Sequence, residues 1–344
     1  MPEMQLRYAG VSYYDKTRAL ERGELSLDGI ELEYVRFDHV GELFRMMAQD
    51  PTSFSASEMS LSTLTMMVSR GDDRLVGIPI FPSKAFRHSQ VYIHADSGIE
   101  TPEDLRGKRV GIPEYQMTAA VWIRAFLEHD YGVPPSDIHW LTGGLFTPEY
   151  KERLHHDPPP GVTIDMIPAG RTLLEMIDSG ELDAMATARQ PEPFTRGSGR
   201  VRRLFPDYRS VEEDYLRRTG YFPIMHTVAI QRELYEAHPE LALTLLQAFE
   251  ESKRLGRERL RNLDTLAVMH PWIAAELDEL KEPFARFGGD PFAYGIGPNR
   301  HVLDALLDYS REQGLSEDRV TIEQLFAPET LDWMPEPVTA EPPA

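Results

Sequence analysis

The sequence predicts a two-lobed α/β protein with mixed, mostly parallel sheets and a hinged cleft between the lobes. Three observations carry this. Strand-like and helix-like patterns alternate along most of the chain, the mark of parallel sheets flanked by helices. The 344 residues exceed one small domain but suit two lobes, and 41% hydrophobic content supports two cores. Two segments, near 91–98 and 220–228, read as crossings out of one lobe and back. A chain that crosses twice makes a hinge, and such clefts close on small ligands.

The elements follow in order. Residues 5–9 read as a first strand, followed by the loop G-V-S-Y-Y-D-K-T-R (10–18) and a helix to about 22. Residues 30–37, I-E-L-E-Y-V-R-F, alternate as a strand does, and 41–49 are helical. A short strand is expected at 54–57, a Met-, Leu- and Ser-rich helix at 58–70, and apolar strands at 75–81 and 91–94. At 101–105, T-P-E-D-L offers an N-cap threonine, a proline at the first helical position and acids in the first turn. Strands are expected at 162–167, 182–187 and 221–230, and helices at 173–179, 241–260, 272–280 and 302–313. The first lobe is then discontinuous, 1–95 plus 225–344, and the second is 96–224. Residues 334–344, rich in Pro and Glu, are expected to be a disordered tail.

Residues 108–127, K-R-V-G-I-P-E-Y-Q-M-T-A-A-V-W-I-R-A-F-L, hold a strand at 109–112, a turn at 113–116 and a helix from Thr118. Such a turn aims backbone N–H groups and the positive end of a helix dipole forward, which suits a carboxylate. Tyr115, Gln116 and Thr118 add side-chain donors, so the segment reads as the grip of a small acid.

Composition excludes several partners. Acidic residues number 56 against 36 basic ones, a net charge of −20, which disfavours nucleic acid. Without cysteine there is no disulfide, iron–sulfur cluster or thiol nucleophile. The N-terminus lacks a signal-peptide pattern and there is no run of about 18 apolar residues, so a cytoplasmic protein without a membrane partner is expected. A homo-oligomer stays open.

The segments F-P-S-K-A-F-R-H-S (81–89), P-E-D-L-R-G-K-R-V-G-I-P-E-Y-Q-M-T-A-A-V-W (102–122) and F-A-Y-G-I-G-P-N-R (292–300) resemble the 4,5-dihydroxyphthalate decarboxylase family. The resemblance spans about 8–326 and implies the type-2 periplasmic-binding-protein fold. It also implies non-oxidative removal of a carboxylate from a hydroxylated aromatic acid, with 4,5-dihydroxyphthalate to protocatechuate as the lead example. It carries no set of catalytic residues, so roles are assigned from chemistry.

That chemistry needs a general acid to protonate the ring carbon, an acceptor for the phenolic proton, and a cation for a retained carboxylate. His88, His226 and Glu58 are the catalytic candidates. His88 lies on a loop expected to open onto the cleft. His226 sits in an apolar strand at the hinge. Glu58 is expected at a helix start, where the dipole favours a carboxylate. Arg87 suits bidentate carboxylate capture, and Arg189 follows a strand as a second clamp. Tyr14 lies on the first loop, at the carboxyl end of the first strand, where open α/β sheets bind ligands. Ser57 and Ser60 are helix caps first and ligand donors second. Lys84 is the one of six lysines placed near the cleft.

The adjacent His155 and His156 form no tight ligand pair, and no metal or other cofactor is expected. A divalent ion held by His88, His226 and Glu58 is the unfavoured alternative. The competing function is a non-catalytic solute-binding protein for an aromatic acid or other small anion.

Overall fold

The computed structural model describes residues 4–149, 152–261, 270–279, 282, 284 and 290–335. The expected tail falls, beyond Pro335, outside the described residues, as does the last residue of the helix expected at 272–280. The chain divides into two compact units. Unit 1 comprises Met1–Lys84, His226–Asp304 and Thr321–Ala344; unit 2 comprises Ala85–Met225 and Ala305–Val320.

The strands are β1 (Met4–Val11), β2 (Ile30–Phe37), β3 (Ala56–Ser60), β4 (Leu75–Ile78), β5 (Val91–His94), β6 (Arg109–Ile112), β7 (His139–Thr142), β8 (Thr163–Met166), β9 (Ala184–Ala186), β10 (Val201–Arg203) and β11 (His226–Gln231). Helices used below are α1 (Val40–Gln49), α2 (Leu61–Ser69), α3 (Thr118–Tyr131), α4 (Leu173–Ser179), α5 (Tyr208–Thr219), α6 (Glu240–Arg261) and α7 (Arg300–Glu312).

In unit 1 the sheet order is β2-β1-β3-β11-β4. β1 pairs in parallel with β2 and with β3, while β11 runs antiparallel between β3 and β4. The edge strand β2 keeps its alternation, with Glu31 and Glu33 exposed. β3 is central and every residue in it is buried. Because β11 runs antiparallel, its first residue, His226, lies at the carboxyl end of β3, beside Ser60 in register. A side chain from the returning strand thereby reaches the sheet edge where ligands bind in such folds.

In unit 2 the order is β10-β5-β9-β6-β7-β8, with β5 antiparallel to β9 and β10 and the rest parallel. β6 and α3 begin and open where the sequence places them. Thr101 and Asp104 form a capping box, and α4 has another from Thr172 and Glu175. Gly132 ends α3 with φ 64°, a conformation that glycine adopts without strain.

The lobe boundaries are corrected. β5 was expected to leave the first lobe, but it is hydrogen-bonded into the second sheet, so the division comes at Lys84 and Ala85 rather than near 95. Residues 305–320, expected in the first lobe, join unit 2. There Nε of Arg124 donates to Oε1 of Gln313 at 2.8 Å, and Gln313 donates to the carbonyl of Val121 at 2.9 Å. Among the described residues no helix is long and apolar enough to cross a membrane.

Candidate active site

Unit 1 assembles the site from β3, β11 and the loop after β1. Glu58 is fully buried in mid-strand, which corrects the expected helix start. The helix begins only at Leu61, with Ser60 before it, and the Ser60 side chain makes no capping bond. Strand alternation then decides what Glu58 faces. Val228 lies opposite Glu58 and His226 opposite Ser60, so His226 and Glu58 are diagonal neighbours on one face.

The diagonal closes as a hydrogen bond of 2.6 Å between Nδ1 of His226 and Oε1 of Glu58. Tyr14 donates its hydroxyl to the same Oε1 at 3.0 Å, and the backbone N–H of Val11 reaches Oε2 at 3.4 Å. A buried carboxylate is stable only when so supplied with donors. With Nδ1 donating to the Glu58 carboxylate, Nε2 is the ring nitrogen left with a lone pair. Phe44 packs edge-on against the imidazole, ring centroids 4.8 Å apart. Burial, and after it the Glu58 carboxylate, hold the Tyr14 hydroxyl far above its usual range, so it stays a hydrogen-bond donor.

Lys16 and Ser83 border this cluster, and Lys84 follows Ser83 in the chain. Lys16, for which the sequence carries no site signal, sets Nζ over the rings of Tyr14 and Phe292, each at 4.5 Å from the centroid. Burial lowers its pKa. Ser83 accepts the backbone N–H of His226 at 3.3 Å and hydrogen-bonds the Tyr14 side chain. Lys84 is buried and donates to Oδ1 of Asn299 at 2.9 Å. Ser60 shares the Glu58 face and lies 3.3 Å from the hydroxyl of Ser62. Ser57 points to the opposite face of β3, fully buried.

The remaining candidates lie in unit 2. His88 is not on an open loop. It is 1% exposed, stacked on Phe126 at 4.0 Å between centroids, with Phe205 and Tyr215 edge-on. Burial, and then Arg218, push its pKa down to about 3, so it is neutral at pH 7 within this aromatic enclosure. Arg87 is also buried, with Nε 3.2 Å from the sulfur of Met225. Tyr115 is buried between the Arg124 guanidinium, 3.6 Å from its centroid, and the ring of His156 at 5.4 Å. Gln116 donates to the carbonyl of Leu154 at 3.0 Å, and Thr118 is buried at the start of α3. Arg189 is exposed, 5.8 Å from the ring centroid of Phe146. Within these units, then, the structure unites Tyr14, Glu58, His226 and Ser60, and sets His88 in a separate core. Among the described residues no group of three or more His, Asp or Glu side chains is placed to hold a metal ion.

No sequence-family profile matches the chain. Among solved structures it is similar to the periplasmic aliphatic sulphonate binding protein SsuA from Escherichia coli, with a TM-score of 0.54 at 17% identity, covering 95% of this chain and 99% of that one. A DSZB mutant in complex with biphenyl-2-sulfinic acid gives a TM-score of 0.51 at 16% identity, covering 96% and 98%. These likenesses show the periplasmic-binding-protein fold. Among curated proteins, a 4,5-dihydroxyphthalate decarboxylase from Comamonas testosteroni is 38% identical over 332 residues, 96% of this chain and 99% of the relative. One from Pseudomonas putida is 37% identical over 211 residues, 61% of this chain and 81% of the relative. At that identity and coverage, the chain belongs to the 4,5-dihydroxyphthalate decarboxylase family.

Proposed function

We propose that this protein is a carboxy-lyase that removes one carboxylate from a hydroxylated aromatic diacid, with 4,5-dihydroxyphthalate as substrate and protocatechuate and carbon dioxide as products. The carrying observation is the Glu58–His226 bond of 2.6 Å, with Glu58 sealed and further held by Tyr14 and Val11. Family membership names the substrate class, and the dyad supplies what its chemistry requires.

In this diacid a hydroxyl stands para to each carboxylate. Removing that hydroxyl's proton drives electron density to the carbon that bears the leaving group. Nε2 of His226 takes the proton, and the Glu58 carboxylate stabilises the imidazolium that results. The ring carbon is protonated, the carbon–carboxylate bond breaks, its electron pair restores the ring, and carbon dioxide departs. His226 then returns its proton to the phenolate oxygen. Every step moves a proton or an electron pair within substrate and side chains, so we take the reaction to need no metal.

The test is carbon dioxide release and protocatechuate formation from 4,5-dihydroxyphthalate, with and without a chelator. The parent protein turns over in both. His226→Ala lowers kcat by about 10² to 10⁴. Glu58→Gln keeps the shape but withdraws the charge behind the imidazolium, and lowers kcat by about 10². A parent that releases no carbon dioxide, or a His226→Ala variant of parental kcat, defeats the reading.

A further inference from the structure

We propose that Lys84 is the general acid of this reaction, giving a proton from Nζ to the ring carbon that carries the leaving carboxylate, with Asn299 as its positioning residue. The inference rests on the decarboxylase reading above. A para arrangement puts the proton removed and the proton delivered at opposite ends of the ring. One group cannot serve both ends, so the dyad needs a second titratable partner.

Lys84 meets the structural conditions. The chain has only six lysines, and this one is 5% exposed. Burying an ammonium is costly, and a fold retains it where function or a fixed partner requires it. Its Nζ donates to Oδ1 of Asn299 at 2.9 Å. Asn299 is fully buried, and its amide nitrogen donates to the carbonyls of Ala293 and Gly295, both at 2.9 Å. Both amide hydrogens are thereby committed, and the oxygen can only face Lys84. The two residues belong to F-P-S-K-A-F-R-H-S and F-A-Y-G-I-G-P-N-R, two of the segments on which the family resemblance stands.

The acceptor is neutral, which matters chemically. A carboxylate there would hold the proton on the amine. An amide oxygen orients Nζ in both protonation states, since ammonium and amine alike keep N–H donors. The charges acting on Lys84 include Asp290, which favours the ammonium, and, from α6, Lys253, which opposes it. Asp290 is itself ion-paired with Lys253 at 2.6 Å and with Arg257, and Lys253 also pairs with Glu250 at 2.8 Å. Burial pushes Lys84 down to about 7, where an acid works well near neutrality. The link to the dyad is Ser83, adjacent in sequence, which bonds the backbone of His226 and the side chain of Tyr14.

The step balances. His226 takes the hydroxyl proton, an N–H bond of Lys84 breaks, and a C–H bond forms at the carboxylate-bearing carbon. The C–CO2 bond then breaks with its pair returning to the ring. His226 restores the hydroxyl, and the neutral amine of Lys84 takes a proton from water. One proton is consumed per carbon dioxide, and nothing is oxidised or reduced.

The test separates kcat from KM in three variants of the full chain, with 4,5-dihydroxyphthalate as substrate. Lys84→Arg keeps the charge but cannot release a proton near neutral pH. Its kcat is expected to fall about 100-fold or more, with KM within about three-fold. In the parent, kcat/KM is expected to decline on an alkaline limb near pH 7. Asn299→Asp sets an anion beside the ammonium and is expected to move that limb up by about one pH unit. An Asn299 that served structure alone would lower activity and leave the limb in place. Lys84→Met, which removes the proton donor altogether, is expected to lower kcat at least as far as Lys84→Arg. If arginine proves too bulky to fold at this position, the Asn299→Asp limb decides. A Lys84→Arg variant of near-parental kcat, or an unmoved limb in Asn299→Asp, overturns the proposal and leaves the decarboxylase reading intact. A parent without activity overturns both.

Discussion

At the residue scale, the difference between His88 and His226 lies in their surroundings. Both were catalytic candidates, each a histidine at or near a strand. His226 keeps a buried carboxylate on Nδ1, whereas His88 is enclosed by Phe126, Phe205 and Tyr215. Those rings come from distant parts of the chain, so the sequence around His88 gives no sign of them. The consequence is measurable. Above the unfolded-state pKa of about 6.5, His88 is neutral whether folded or not and costs nothing. Below it, the unfolded chain binds a proton that the fold refuses down to about pH 3. Stability therefore falls by about 1.4 kcal/mol per pH unit from this group as pH drops through that window. His88→Leu is expected to lose that slope, retaining about 2 to 3 kcal/mol more of its own pH 7 stability at pH 4.5 than the parent does. Urea midpoints at the two pH values check it, and equal slopes would contradict the aromatic enclosure. Lys16 shows the same limit of reading. Its residue type and loop were visible, but its second aromatic partner, Phe292, was not.

At the element scale, most strands and helices were legible because their patterns are local. β6, β5, α3 and α4 begin where periodicity, caps and glycines set them. β7, β10 and α5 are not legible in the sequence. H-W-L-T and V-R-R are too short to show a period, and Y-R-S-V-E-E-D-Y-L-R-R-T has few apolar residues. The costliest error was a shift of a few residues in the S-A-S-E-M-S-L-S stretch, where small residues suit strand and helix alike. It turned Glu58 from a helix-start carboxylate into a strand residue facing His226. The support of the Tyr14 loop was not foreseen either. Gly256, inside α6, has no side chain where a Cβ would lie 2.8 Å from the carbonyl oxygen of Asp15 and 3.4 Å from Cα of Lys16. The helix thus touches the backbone of the very loop that carries Tyr14. Gly256→Ala gains up to about 1 kcal/mol in helix propensity, but it must push that loop aside. The expected result is kcat lowered about ten-fold, since small misplacements of a working group are costly, with helix content by circular dichroism unchanged. A variant with parental kcat would show that the loop yields without moving Tyr14.

At the scale of the whole molecule, the alternating pattern made the two-unit α/β organisation legible. What it could not give was the fate of residues 305–320. Their helical period is local, but their allegiance to unit 2 comes from long-range bonds such as Arg124 to Gln313. Net charge is the global quantity the sequence does give, and it conflicts with the proposed substrate. A protein of charge −20 repels a dicarboxylate until local donors take over. Exposed charges are screened beyond about 10 Å at 0.1 M ionic strength, whereas groups as buried as Glu58, Lys16 and Lys84 are screened far less. Salt should therefore weaken the repulsion felt during approach and leave the chemistry nearly untouched. The expectation is that kcat/KM for 4,5-dihydroxyphthalate rises several-fold between about 10 mM and 150 mM salt, while kcat stays constant. Steady-state rates over that range, at fixed pH and in two salts to exclude a specific ion effect, measure it. A kcat/KM that falls with salt would mean that cations at the site, not the acidic surface, govern capture of the diacid.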